Sequence, residues 1–285
     1  MRLRINRPTG AGAPRWLIAL SVMALMGCPV PDHHPISGRV DQEDFPSQVV
    51  GDTYRIMVRL PPGYDDGSVT SYPVVYQLDA NFMWYQQFEV TAGAVSELAR
   101  KSLVPEAIVV GIGYPYEDVE MNKGRSRDYT SRESILGSGG SARFIRFLRD
   151  ELFPHIEGKY RAQASSSSRT ISGHSLGGHF ALHALMQTDP PFGRFVAADP
   201  SFFDGDAVLF EDEAAFAPPA GAHYRLYLSL AVIDDAEQNI YFREFSERIA
   251  RHPEVELKTE ALEAYHANVV APSFEHGLQF VLGTP

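Results

Sequence analysis

From residue 54 onward the chain alternates short apolar runs, each closed by turn residues, with longer stretches whose apolar positions recur at helical spacing. The runs at 54–60 (YRIMVRL), 72–78 (YPVVYQL), 107–113 (AIVVGIG), 169–173 (RTISG), 195–198, 224–232 (YRLYLSLAV) and 255–262 predict strands. Helices are predicted over 87–101, 141–153, 176–187, 237–250 and 273–282; in the first of these Val90, Ala94, Val95 and Leu98 share one face. Such alternation implies an α/β fold with a mostly parallel central sheet covered by helices on both faces, because each crossover helix must bury its apolar stripe against the strands it joins. At 285 residues one such domain is the expectation. The segments 121–140 and 204–221 read as long insertions, where function often resides.

Lys and Arg number 25 against 36 Asp and Glu, and no dense basic cluster follows the first fifteen residues, which argues against a nucleic acid partner. The single cysteine, Cys28, excludes an internal disulfide, a thiolate zinc site and an iron–sulfur cluster. Neither a metal nor an organic cofactor is expected. Oligomeric state is left open.

Residues 16–26 (WLIALSVMALM) follow a basic start and form an apolar run too short to cross about 30 Å of hydrocarbon but suited to the core of an export signal. The run ends in LMGC, which resembles the bacterial lipobox; cleavage before Cys28 would leave its thiol to carry a lipid. The alternative is an ordinary secreted protein. The expected division is a signal peptide at 1–27, a flexible Pro- and acid-rich tether at 28–46 and a folded domain at 47–285. The exported chain, with 21 basic against 36 acidic residues, would sit in the cell envelope as a lipid-anchored periplasmic or outer-membrane protein.

Gly173-His174-Ser175-Leu176-Gly177 fits G-x-S-x-G, with a predicted strand running into it and an amphipathic helix leaving it. In such an elbow the serine sits on a strained turn, so its glycine neighbours are needed where a side chain would collide with backbone. The Leu176 N–H, at the helix start, is then available to an oxyanion. The bland alternative is a glycine-rich turn with Ser175 as helix cap.

At this point the chain resembles the esterase family of α/β-hydrolases that contains esterase D, the enterobactin and salmochelin trilactone esterases and the antigen 85 mycolyltransferases. The likeness rests on YPVVYQLDANFMW (72–84), IVVGIGYP (108–115), RSRDYT (125–130), ISGHSLGGHFALHAL (171–185), AADPSFF (197–203) and YHANVVAPSFEHGLQFVL (265–282), and is closest to the siderophore-esterase branch. It implies an α/β-hydrolase fold and a catalytic order of Ser, acid, His. His266, between the last strand and the closing helix, matches the family histidine; His276 is its rival. The acid is sought after the strand at 224–232, where Asp234 matches best and Asp235 and Glu237 follow; helix capping, or a Ser/His dyad, is the alternative.

The resemblance also makes the backbone of Asn81 the second oxyanion donor. Family members often carry glycine where this chain has Ala80, which questions the local path if a positive φ falls there. Arg125 and Arg127 either clamp an anionic substrate or pair internally with Asp128, and Trp84, with Phe82, Tyr85, Phe202 and Phe203, either lines a pocket or packs the core. The implied activity is that of a serine hydrolase acting on a small-molecule carboxylic ester, with a siderophore trilactone as leading candidate. Acyl transfer, or a catalytically silent binding module, is the alternative.

Overall fold

The computed structural model describes residues 33–283 apart from 68–69, 83–85, 117, 134–137, 203–207 and 234–235. Strands β1 (Arg39–Ser47), β2 (Asp52–Leu60), β3 (Val74–Gln77), β4 (Ile108–Gly113), β5 (Arg169–His174), β6 (Arg194–Ala198), β7 (Tyr224–Ala231) and β8 (Val255–Leu262) form one sheet in the order β1-β2-β4-β3-β5-β6-β7-β8. From β4 to β8 all pairings are parallel, while β2 runs antiparallel to both β1 and β4. The expected covered, mostly parallel sheet is observed.

The helices are α1 (Gln87–Arg100), α2 (Asp118–Tyr129), α3 (Ser141–Phe147), α4 (Phe153–Lys159), α5 (Leu176–Leu185), α6 (Val208–Ala215), α7 (Ala236–Ile249) and α8 (Val270–Leu282). Alternate strand residues enter two different cores. Val74, Tyr76, Val110, Ile171 and Leu226 join α3, α4 and α5 on one side, while Val75, Val109, Val196 and Tyr227 join α1 and α8 on the other. Burial on both faces is why these strands read as unbroken apolar runs. Among the described residues no helix is long and apolar enough to cross a membrane.

Three expectations need correction. Residues 39–46, assigned to a tether, belong to β1, which pairs along its whole length with β2. Its charges and Pro46 suit an edge strand exposed on one side, and that polarity hid it in the sequence. Residues 33–37 are also held: Ser37 N–H donates to Ser96 Oγ at 3.1 Å, and Arg59 Nε donates to Ser37 O at 2.8 Å. The insertion at 121–140 is helical up to Tyr129, in α2, and that at 204–221 contains α6. The helix predicted over 141–153 is interrupted by a π-helical turn at Leu148–Leu152, because Pro154 has no N–H to continue the ladder.

The strand order brings the carboxyl ends of β3, β5 and β6 side by side, with β7 and β8 beyond. Loops leaving these ends converge where ligands of parallel sheets bind.

Candidate active site

β5 enters the site buried from Thr170 onward, Ser175 follows at φ 59° and ψ −120°, and α5 starts at the next residue. A serine held at positive φ is strained backbone, fixed here by its neighbours. Its N–H donates to Ala198 O at 3.0 Å, and its carbonyl accepts from Ser201 N–H at 3.1 Å and His179 N–H at 2.9 Å. A Cβ on Gly173 would come to 2.4 Å from the Gly177 carbonyl carbon, and one on Gly178 to 3.1 Å from Ala198 O and Pro200. The glycines therefore let the elbow close against the loop leaving β6. Ser175 is only partly covered, and Leu176 opens α5, whose first amides lack intrahelical partners.

The loop after β3 lies beside the elbow. Asn81 Nδ2 donates to Tyr114 O at 2.8 Å and Tyr114 N–H returns a bond to Asn81 Oδ1 at 3.0 Å, which pins the loop to the end of β4. The positive φ of this loop falls on Asp79 (53°), not on Ala80, so alanine at 80 carries no such strain. Asp79 is held by Arg125, whose Nε and Nη2 donate to its two oxygens at 3.0 and 2.8 Å, and its N–H donates to Tyr129 Oη at 3.2 Å.

Arg125 and Arg127 thus follow the internal-pairing alternative, Arg127 with the expected Asp128 and Arg125 with Asp79 instead. Arg125 sits over the Phe82 ring at 4.5 Å while paired with Asp79. Arg127 donates twice to Asp128, at 2.7 and 2.9 Å, and once to Asp52 at 2.7 Å. Asp128 also accepts from Tyr54 and Tyr114 at 2.7 and 2.9 Å. Of the two guanidiniums, Arg125 braces the loop beside the elbow through Asp79. Trp84, Tyr85 and Phe203 lie outside the described residues, while Phe202 is buried against Phe245 with centroids 5.5 Å apart.

His266 projects from the loop between β8 and α8. That loop is shaped by Asn268, whose Oδ1 accepts from Tyr265 N–H at 2.8 Å and whose N–H donates to Tyr265 O at 3.0 Å. His266 Nδ1 meets Asp199 Oδ2 at 2.5 Å. Asp199 is the first residue after β6, at φ 42°; its N–H donates to Ser229 O and its Oδ1 accepts from Ala231 N–H, both at 3.0 Å. β7 therefore orients the carboxylate. His174, buried beneath, has its ring centroid 4.4 Å from that of His266. Burial, reinforced by the proximity of His266 and Arg125, holds His174 well below the usual 6.5, so it stays neutral under this imidazole.

The carboxylate on His266 is therefore one that the sequence reading overlooked. Asp234 and Asp235 lie outside the described residues. Asp199 satisfies the order Ser, acid, His equally well, and it stands in the segment AADPSFF, after β6 rather than after β7. The rival His276 pairs instead with Glu260 at 3.0 Å. His179 Nδ1–H donates to Ser201 O at 2.8 Å, and His183 meets Asp212 at 2.6 Å, so both act in packing networks. Ser201, also overlooked, brings its Oγ to 3.3 Å from Ser175 Oγ.

His174, Asp199 and His266 present ligand atoms within 4.8 Å of one another, a donor set compatible with a divalent ion. Two of these groups are already joined by the Asp199–His266 hydrogen bond, an arrangement of the kind that fixes an imidazole tautomer.

The family model described as "Putative esterase" matches residues 47–219. The chain is 28% identical over 251 residues to the ferri-bacillibactin esterase BesA of Bacillus subtilis, covering 81% of this chain and 85% of that one. It is 27% identical over 273 residues to the siderophore enterobactin esterase of Emericella nidulans, covering 80% and 89%. The crystal structure of the BES protein from Bacillus cereus superposes with a TM-score of 0.76 at 26% identity, over 90% of this chain and 100% of that one. An α/β-hydrolase sheet, a strained serine elbow and these likenesses converge: the chain belongs to this esterase family and is a carboxylic ester hydrolase.

Proposed function

We propose that the protein is a serine esterase using Ser175, His266 and Asp199, and that its substrates are siderophore esters. The observation that carries the mechanism is the 2.5 Å bond from His266 Nδ1 to Asp199, next to the elbow whose strained backbone presents Ser175. With Nδ1–H donated to the carboxylate, the Nε2 lone pair is the base. His266 takes the Ser175 proton as Oγ bonds to the ester carbonyl carbon, and the Leu176 and Asn81 N–H groups hold the oxyanion. Collapse expels the alcohol, protonated by His266; water then releases the acyl group by the same steps. The substrate class is supported by relatives named as siderophore esterases.

Export and a lipid on Cys28 are proposed from the sequence alone; Cys28 lies outside the described residues. Mass spectrometry of membrane-extracted protein tests this: an acylated Cys28 at the new N-terminus is expected, and a soluble product starting elsewhere overturns it. For the catalyst, a fluorophosphonate probe labels the wild type and not Ser175→Ala. For the substrate, a ferric trilactone is hydrolysed with higher kcat/KM than simple aryl esters; the reverse preference rejects the siderophore reading.

A further inference from the structure

The residues after β6 address both working groups of the site. Asp199 meets the imidazole and Ser201 the nucleophile, with Pro200 between them fixing the turn. Ser201 is 4% exposed, and its backbone is tied on both sides: its N–H donates to Ser175 O at 3.1 Å, and its carbonyl accepts from Nδ1–H of His179, itself 1% exposed, at 2.8 Å. The next amide, of Phe202, donates to Gln238 Oε1 at 3.3 Å. This anchoring holds the hydroxyl beside Ser175 Oγ.

We propose that Ser201 is a second catalytic hydroxyl, which donates its hydrogen to Ser175 Oγ and stabilises that oxygen while its bond to the acyl carbon forms and breaks. The inference rests on the reading of Ser175 as nucleophile. Ser175 has one hydrogen, and it goes to His266; the remaining lone pairs accept, so Ser201 is the donor. In acylation the proton moves from Ser175 to His266 while Oγ gains the carbon; in deacylation the C–Oγ bond breaks, its electron pair stays on Oγ, and His266 returns the proton. Negative charge develops on Oγ in both. A hydroxyl donating to an oxyanion bonds at shorter range and more strongly than to a neutral oxygen, so a contact of 3.3 Å at rest tightens toward the transition state. Ser201 keeps its own proton throughout.

The test is the second-order rate of fluorophosphonate labelling, which reports attack by Ser175 alone. Ser201→Ala is expected to label about tenfold more slowly and to lose about tenfold in kcat/KM, the value of one hydrogen bond. The pH midpoint of labelling should not move, and Ser201→Thr should restore the rate to within about twofold. Wild-type labelling by Ser201→Ala, a Thr variant no better than Ala, or a shifted midpoint, which would mean action through His266, each overturns the proposal. If the alanine variant does not fold, Ser201→Cys keeps the shape with a weak donor; slow labelling supports the proposal and a wild-type rate rejects it. Labelling of Ser175→Ala would instead refute the parent mechanism.

Discussion

Among the described residues, serine, histidine and aspartate come together at two places. At one, Ser141 Oγ meets His183 Nε2 at 3.1 Å and His183 Nδ1 meets Asp212 Oδ2 at 2.6 Å, joining α3, α5 and α6. At the other, His266 meets Asp199 at 2.5 Å beside Ser175. By distance alone the first is a credible triad. Yet Ser141 is 1% exposed, starts an unstrained helix and has its amide bonded to Thr130 O at 2.9 Å, and Gln187 also meets His183 Nε2 at 3.2 Å. Ser175 is partly open, sits at φ 59° and precedes helix amides that have no intrahelical partners. Access and backbone strain set the proposed catalyst apart from a hydrogen-bonded staple; bond lengths do not.

The sharpest break of this comparison is exchange of the two serines. Ser175→Ala should lose about 10⁶ in kcat, as removal of a triad nucleophile does elsewhere, while Ser141→Ala turns over at the wild-type rate. Loss of probe labelling in folded Ser141→Ala would mean that Ser141, not Ser175, is the nucleophile. Next come the acids. Asp199→Asn should lower kcat by about 10⁴ by leaving the imidazole in the wrong tautomer. Asp212→Asn should leave kcat within about twofold. If Asp199→Asn is nearly normal and Asp234→Asn is not, the triad assignment fails.

A smaller effect belongs to the staple. His183→Leu removes the partner of Asp212 and of Ser141 and should cost about 1–2 kcal/mol, or a few degrees in Tm, with kcat unchanged; calorimetry and kinetics on the same sample decide it. Smaller again is the acid limb of stability from His174. Its folded form holds no proton near the usual value of 6.5, whereas the unfolded imidazole does, so its contribution is intact above that pH and declines below it, by about 1.4 kcal/mol per pH unit at most. Urea midpoints of His174→Gln should therefore fall less between pH 6.5 and 5.5 than those of the wild type; parallel curves would show that His174 is protonated in the fold.

Much of the site was legible in order along the chain. G-H-S-L-G between strand and helix announced the elbow, because steric demands on Gly173 and Gly178 arise within a few residues of Ser175 or from the loop beside it. His266 was legible by its place after the last strand. Arg125 was not: its alternatives differ only in where Asp79 stands, 46 residues away. β1 was missed for a related reason, since a polar edge strand has no apolar periodicity and is defined only by the partner it pairs with.

The sequence by itself determined the alternation of strand and helix and the strained serine turn, since periodicity and backbone sterics act over neighbouring residues. Which carboxylate orients His266 was decided by the tertiary structure. The answer depends on β6, β7 and β8 lying side by side, so that Ala231 N–H aims the Asp199 carboxylate at an imidazole 67 residues further along the chain.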